Sequence, residues 1–370
     1  MMPYYLFFLC ASGLGYGLFV LVILKALRTV RHGVSEETPF VSVVLAARNE
    51  RAGIGACLAA LYLQDYGRDN FEVIIADDRS EDGTAEVVRR FQEIFGNLKI
   101  ITVLLVPDGV SPKKNALTRA ISSARGSIIL QTDADCIVPE SWITGMVKRF
   151  EEGVVLVTGV APYIPSPGAL NSFIRHEYLW NAVLSAGSIA LGRGTHASGR
   201  NFGFRRDVFE QADGYGEGQK VQSGDDTLLL HRIQKRYPGG IATNPEKSTH
   251  VLTRAPGDVR SFFRQRTRHM STGKYFDPLL IMIGGIVYGF HLLMVAALLL
   301  SPVSPRFFIV FVIAFAVKSL LDARAASAAH RILELEVTWR RFVFNELFLL
   351  FYMAFMPIAG CIVPVRWKEK

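Results

Sequence analysis

The chain has 370 residues, half of them hydrophobic and a fifth charged, with a formal net charge of +8. That length allows one large domain or two small ones. Its four cysteines follow no metal-binding or redox spacing, which excludes a disulfide framework and fits a reducing compartment. A basic balance raises nucleic acid as a partner. Many of the cations, however, flank apolar segments: Lys25, Arg28, Arg31, Arg324, Arg331, Arg340, Arg341, Arg366 and Lys368. Charges there contact anionic headgroups and set topology, so the membrane is the expected partner and nucleic acid is not.

Residues 4–24 form an uncharged apolar run long enough to span a bilayer. Positive charge follows this run, at Lys25, Arg28 and Arg31, whereas a cleaved signal peptide carries it in front. By the positive-inside rule the run is expected to be an uncleaved anchor with the next domain in the cytoplasm. The expected organisation is an anchor with its basic flank over 1–38, an α/β domain over 39–255, an interfacial helix over 256–276 and a membrane region over 277–370. Such a chain is a multi-pass protein of the cell (inner) membrane.

From Val41 onward, β-branched runs alternate with helical patterns. Strands are predicted over 41–45, 71–76, 99–105 and 127–131, and helices over 54–64, 84–95 and 112–124. Thr84 is the expected cap of the second helix, while Ser111-Pro112 reads as N-cap and first position of the third. Strands alternating with helices predict a mostly parallel sheet covered on both faces.

Open α/β sheets bind ligands outside the carboxyl ends of their strands, and three polar clusters fall there. They are Ala47-Arg48-Asn49-Glu50, Asp77-Asp78-Arg79-Ser80 and Thr132-Asp133-Ala134-Asp135. Together they describe an acidic crevice. Asp133 and Asp135, two apart in an extended chain, point to one side, and like charges that close need a counter-charge. A hard divalent cation fits. Mg²⁺ completes its shell with phosphate oxygens and water, which points to a phosphorylated ligand. The pair equally suits a cap on the turn before a helix beginning at Pro139 and Glu140, and both roles can hold together. Lys113 and Lys114 oppose the helix dipole as a solvated pair would, or meet an anion such as a diphosphate.

The ordered segments VSVVLAARNE, VIIADDRSEDGT, KKNAL and QTDAD, followed by GRNFGFRR at 199–206, ADGY at 212–215, GDDTLL at 224–229 and QRTRH at 265–269, resemble the family 2 inverting glycosyltransferases. The resemblance covers about 41–269 and extends to membrane-bound lipid glycosyltransferases such as ceramide glucosyltransferase-like enzymes. It implies a GT-A nucleotide-sugar (Rossmann-like) fold. It also implies that Ala47, Arg48 and Glu50 line the nucleoside pocket, that Asp78 contacts base or ribose, and that Asp77 supports that strand end. Lys113 would lie near the nucleotide. Asp133, Asn201 and Asp225 would serve the donor, and Asp135 would bind the Mg²⁺ or Mn²⁺ that bridges the diphosphate. Asp226 would be the general base, and Gln265 and Arg268 match a Q-x-x-R element near acceptor and diphosphate. Asp225 also suits a plain helix-start acid. The family often has Glu-Asp where Asp225-Asp226 stand, and Trp where His269 stands, which weakens a processive synthase. The expected activity is transfer from a nucleotide sugar, with UDP the expected nucleotide, to a lipid or lipid-linked acceptor. The alternatives are a processive polysaccharide synthase and a catalytically silent scaffold.

Residues 258–274 are basic, with Val259, Phe262, Phe263 and Met270 at helical spacing, as in a helix lying in the membrane interface or packed on the soluble domain. A second span is expected over 279–300, where Gly285 and Gly289 form a helix-packing GxxxG and Tyr288 and His291 are candidates for an acceptor groove. Runs 307–321 and 342–365 bring the expectation to about four membrane segments. Lys318 and Asp322 read as a functional intramembrane pair or a self-paired, snorkelling couple, and Glu346 shares the ambiguity. Pro357 is expected to interrupt the last segment.

Overall fold

The computed structural model describes residues 2–270 and 277–362, the last four by backbone alone. Expectations that involve Lys274, Arg366 and Lys368 lie outside the described residues. In chain order the elements are α1 (Met2–Leu27), β1 (Val41–Ala47), α2 (Arg51–Tyr62), β2 (Phe71–Asp77), α3 (Thr84–Gln92), β3 (Leu98–Thr102), α4 (Pro112–Ser122), β4 (Ile128–Gln131), α5 (Trp142–Lys148) and β5 (Leu156–Gly159). There follow α6 (Ala169–Ala190), β6 (Phe202–Arg205), α7 (Arg206–Gln211), α8 (Asp225–Arg236), β7 (Ile241–Asn244), α9 (Val259–Met270), α10 (Pro278–Leu300), α11 (Pro305–Ile332) and α12 (Phe342–Ile362). They fall into two compact units, an α/β unit of Thr29–Ile164 and Ser188–Ala255, and a helical unit of Met1–Arg28, Pro165–Gly187 and Pro256–Lys370.

The α/β unit is built on a seven-stranded sheet in the order β3-β2-β1-β4-β6-β5-β7. Only β6 runs antiparallel, to both β4 and β5. Strands buried on both faces read as continuous apolar runs, and every residue of β2 is buried. Side chains alternate between the faces. Val41, Val43 and Leu45 pack with Ile54, Leu58 and Trp142 on one side, whereas Val44 joins Leu117, Phe202 and Leu230 on the other.

Several element ends differ from expectation. β3 stops at Thr102 because its partner β2 ends at Asp77, the residue paired with Thr102. Leu104 and Leu105 beyond it are exposed. Thr84 is the first residue of α3 and not its cap: Gly83 caps, at φ 91°, and Asp82 accepts the Thr84 N–H at 3.0 Å. α2 begins earlier than predicted, since the Glu50 carbonyl already accepts from Gly53 and Ile54. Helix α6 was not anticipated.

In the helical unit, α1, α10 and Trp339–Ile358 are long and apolar enough to cross a membrane. α11 contains the apolar run expected over 307–321 and continues through Lys318, Asp322 and Arg324. Gly285 and Gly289 are not packing residues within the described chain, because a Cβ at either would meet nothing within 4 Å. The close approach uses α1 instead: a Cβ at Gly15 would lie 2.7 Å from Ile286 and one at Gly13 3.1 Å from Phe290. α12 continues through Pro357, where the helix has only a few residues left and proline removes a single backbone bond.

Lys318, Asp322 and Glu346 do not snorkel; their side chains are fully buried. The Lys318 ammonium donates to Asp322 and Glu346, both at 2.5 Å. Tyr16 of α1 donates to Asp322, and His176 of α6 lies 2.8 Å from Glu346. A second buried pair, Glu177 with Arg266 at 2.5 Å, ties α6 to α9. On α9 itself Phe262 is buried against Phe173 and Tyr352, while Val259 and Phe263 are exposed. His291 is buried, with Nδ1 2.7 Å from the Val287 carbonyl, which does not suit it to line an open groove.

Candidate active site

The sheet brings the carboxyl ends of β2, β1 and β4 side by side, because these three strands are parallel neighbours. The clusters separated in sequence therefore share one edge. At the end of β1, Asn49 takes a left-handed φ of 54°; its side chain accepts the Glu81 N–H at 2.9 Å, and its own N–H reaches Ser80 at 3.0 Å. Glu50 donates its N–H to Thr84 at 2.9 Å. The β1–α2 and β2–α3 loops are thus laced together.

Ala47 and Asp77 are paired across the strands and buried. Asp78 is buried and accepts from Arg79 Nε at 2.8 Å, with Arg48 Nη1 3.8 Å from its other oxygen. Asp78 Oδ2 and Asp77 Oδ1 receive no hydrogen bond among the described residues. Buried acceptors left unsatisfied are uncommon, and such a pair suits donors from a ligand.

Asp133 and Asp135 do converge, but by a turn and not by strand alternation, since β4 ends at Gln131. The turn closes through the Cys136 N–H to the Asp133 carbonyl at 3.1 Å. α2 presses on it: a Cβ at Gly53 would lie 3.1 Å from Asp135 Cα. Donor atoms of Asp133, Asp135 and Cys136 all lie within 4.8 Å of one another. Burial, then Asp133 and Asp135, push the buried Cys136 thiol well up, and because a hard cation takes oxygen ligands, the two carboxylates are the groups it would use. Surrounding bulk and then Asp133 raise Asp135, with Arg200 opposing.

Lys113, near the start of α4, sits between two carboxylates, 3.0 Å from Asp133 and 3.1 Å from Asp225. Burial works against its charge, but Asp133 and Asp225 outweigh it and hold the ammonium above its ordinary range. Lys114 does not face an anion. It is buried and donates to the carbonyls of Gly218, Val221 and Ser223 at 2.8–2.9 Å, pinning the segment that leads into α8; burial lowers it to about 8.

Gly224 caps α8 in the left-handed conformation, φ 73°, so Asp225 and Asp226 both occupy the first turn. Burial works to raise Asp225, but Lys113 prevails and lowers it; Gln131 adds a hydrogen bond at 3.0 Å. Asp226 accepts the backbone N–H groups of Gly199 at 2.6 Å and Thr227 at 2.5 Å. Burial and then the Asp225 charge push Asp226 up to about 6, against Lys113. Adjacent carboxylates with opposite shifts are the pattern of a split acid–base assignment.

The Asn201 side chain, expected on the donor side, is instead satisfied within the fold. It is fully buried, donating to the Val160 and Thr249 carbonyls, both at 2.8 Å, and accepting from Trp142 Nε1 at 2.9 Å. It pins the start of β6, and Gly159 leaves room for it, since a Cβ there would lie 2.2 Å from Asn201 Nδ2. Asn201→Ala strands three buried partners and is expected to cost about 3 kcal/mol, read as a lowered thermal midpoint.

Residues not expected from sequence also meet here. Gln131 orients Asp225, Thr132 Oγ1 donates to the Arg200 carbonyl at 2.8 Å, and Arg200 stacks on Tyr163 at 4.9 Å. Gly199 matters for its backbone: a Cβ would meet Gln131 at 2.8 Å and Asp225 at 3.1 Å. Gln131, Thr132, Gly199 and Arg200 all lie inside the quoted segments QTDAD and GRNFGFRR, but the sequence carried no sign of their individual roles. Gln265 and Arg268 belong to the helical unit, on α9, where Gln265 Oε1 is buried without a donor among the described residues.

A family model described as glycosyl transferase family 2 matches residues 42–212. Glycosyltransferase AglE of Haloferax volcanii is 33% identical over 121 residues, 33% of this chain and 36% of that protein. The probable glycosyltransferase YdaM of Bacillus subtilis is 25% identical over 255 residues, 65% of this chain and 56% of that protein. The beta-monoglucosyldiacylglycerol synthase of Synechocystis is 27% identical over 244 residues, 65% of this chain and 49% of that protein. The chain thus spans about a third to just over half the length of these relatives. Among solved structures, a mannosyltransferase from Pyrobaculum calidifontis, in complex with GDP-Man and Mn²⁺, superposes with a TM-score of 0.59 at 21% identity, covering 95% of this chain and 99% of that one. The two share a fold.

Proposed function

We propose, from the match of residues 42–212 to glycosyl transferase family 2 and from the GT-A-like fold, a membrane-bound, metal-dependent, inverting enzyme that transfers a sugar from a nucleotide sugar to a lipid or lipid-linked acceptor. The observation that carries the reading is Asp226, held by two backbone N–H groups and raised to about 6 beside the Lys113-bound Asp225. The synthase of Synechocystis, named for a diacylglycerol product, supports the lipid acceptor. The helices apolar enough to span a bilayer support the membrane, and Lys25, Arg28 and Arg31 beside α1 support a cytoplasmic catalytic domain.

In this reading Asp226 takes the proton from the acceptor hydroxyl as its oxygen attacks the sugar anomeric carbon. The bond to the nucleoside diphosphate breaks in the same displacement, which inverts the centre. Ala47, Arg48, Glu50, Asp77 and Asp78 bind the nucleoside, with the unsatisfied oxygens of Asp77 and Asp78 accepting from base or ribose. Asp135 holds the divalent cation, with Asp133 on the donor side. A bound Mg²⁺ or Mn²⁺ supplies neutralisation of charge on the diphosphate. Lys113 holds Asp133 and Asp225 in place, and Gln265 and Arg268 serve acceptor and diphosphate. The proposed organisation is an anchor over 1–38, a transferase domain over 39–255, an interfacial helix over 256–276 and a membrane region over 277–370, with UDP as the proposed nucleotide.

The test is incubation of the membrane-embedded chain with labelled nucleotide sugars and membrane lipids. A product of discrete size in the organic phase is expected; a high-mass polymer would indicate a processive synthase, and no product with any donor a silent scaffold. Asp135→Ala is expected to reduce metal-stimulated transfer by about 10²–10³-fold, since Lewis-acid stabilisation is worth several kcal/mol. An unchanged metal titration would remove Asp135 from this role.

A further inference from the structure

Within the helical unit, the last turns of α1 and α11 enclose a groove of about 400 Å³. Lys25 and Arg28 stand on one wall, Arg324 and Arg331 on the other, with Ser327 between them and Leu21 and Leu24 adding apolar surface. All four cations are exposed, and none forms an ion pair among the described residues. The two helix C-termini contribute roughly −0.5 charge each. Four full positive charges exceed that, leaving a surplus of about three. Scattered topology-setting charges have no need of a shared concave wall, whereas this arrangement converges four donors on one volume.

The apolar surroundings identify the occupant. Leu14, Leu18 and Leu21 of α1 and Val317 and Leu320 of α11 are exposed on helices that lead into the groove, and α1 is long and apolar enough to cross a bilayer. A soluble anion would use the cations and leave that surface unused. A lipid uses both: guanidinium groups take phosphate oxygens bidentately, and basic pockets between membrane helices hold anionic headgroups.

We propose that this groove is a binding site for one anionic phospholipid, its phosphate held by Arg28, Arg324, Arg331 and Lys25 and its acyl chains lying along α1 and α11. The site is separate from the sugar-transfer reading and stands without it.

The experiment uses the full chain in nanodiscs of phosphatidylcholine, with and without phosphatidylglycerol, and counts lipid retained after release into detergent by native mass spectrometry. One retained phosphatidylglycerol per chain is expected, with phosphatidylcholine not retained. Arg28→Gln/Arg331→Gln is expected to weaken retention at least tenfold. Ser327→Trp fills the groove without altering charge and is expected to abolish retention; it separates a built site from general attraction to the surface. A variant is counted only if its thermal midpoint in phosphatidylcholine matches the parent, and Ala328→Leu replaces Ser327→Trp if the latter does not fold. Equal retention of both lipids, retention unaffected by filling the groove, or displacement of the lipid by millimolar inorganic phosphate or glycerol phosphate would each overturn the proposal.

Discussion

Asp226→Asn is expected to lower sugar transfer by about 10²–10⁴-fold, the range contributed by a positioned general base, while nucleotide binding persists. The amide keeps one oxygen for the Gly199 or Thr227 N–H, so the head of α8 is expected to hold its place. The pH profile gives a second reading. Asp226 stands at about 6, and only its deprotonated form accepts a proton. Transfer should therefore fall about tenfold per pH unit below about 6 and be level above it. Asp225→Asn removes the like charge that helps raise Asp226 and leaves Lys113 unopposed at that position, so the acid limb should move to lower pH. Full turnover by Asp226→Asn, or a limb that moves upward in Asp225→Asn, would exclude Asp226 as the base.

Lys318→Met is expected to be strongly destabilising. The lysine neutralises two buried carboxylates that lie on α11 and α12, and Tyr16 and His176 attach α1 and α6 to the same network. Removing one member of a buried ion group leaves an uncompensated charge, at about 3–5 kcal/mol. Replacing all three ionic residues by apolar ones of similar volume should recover much of that loss, because the desolvation of the charges disappears with them. Thermal stability followed by size-exclusion chromatography in detergent would distinguish these cases. A single variant as stable as the parent would show that the network does not secure the helices.

The difference between expectation and structure follows the range of the interactions involved. Strand runs such as Val41–Ala47 and the polar residues after them are local patterns, and parallel pairing alone places those ends on one edge. Element ends were less legible, because β3 stops where β2 runs out of partners and α3 is capped by a glycine, Gly83. Asn201 lay inside a quoted motif yet is a structural pin, since a short polar side chain reads the same whether it faces a ligand or three buried partners. Lys113 and Lys114 are neighbours with opposite fates: adjacent helix positions point in different directions, one toward Asp133 and Asp225, the other toward three carbonyls.

α6 was not legible because His176 and Glu177 interrupt its apolar pattern, and their partners Glu346 and Arg266 are 170 and 89 residues away. Gly285 and Gly289 carried the spacing of a packing motif, while Gly13 and Gly15, two apart, make the contact. Spacing along one helix does not say which face another helix will meet.

What the sequence by itself determined is the class of the protein: apolar helices before and after an α/β domain in the chain, with acids and a lysine ordered along strand and helix ends, because hydrophobic period and loop polarity are written within a few residues of one another. What only the tertiary structure decided is which charges meet. Lys113 joins Asp133 to Asp225, Asp226 rises beside that pair, Lys318 is buried between two acids, and four basic residues from α1 and α11 converge on one groove. Charge interactions depend on distance and burial, and both are set by chain segments far apart in sequence.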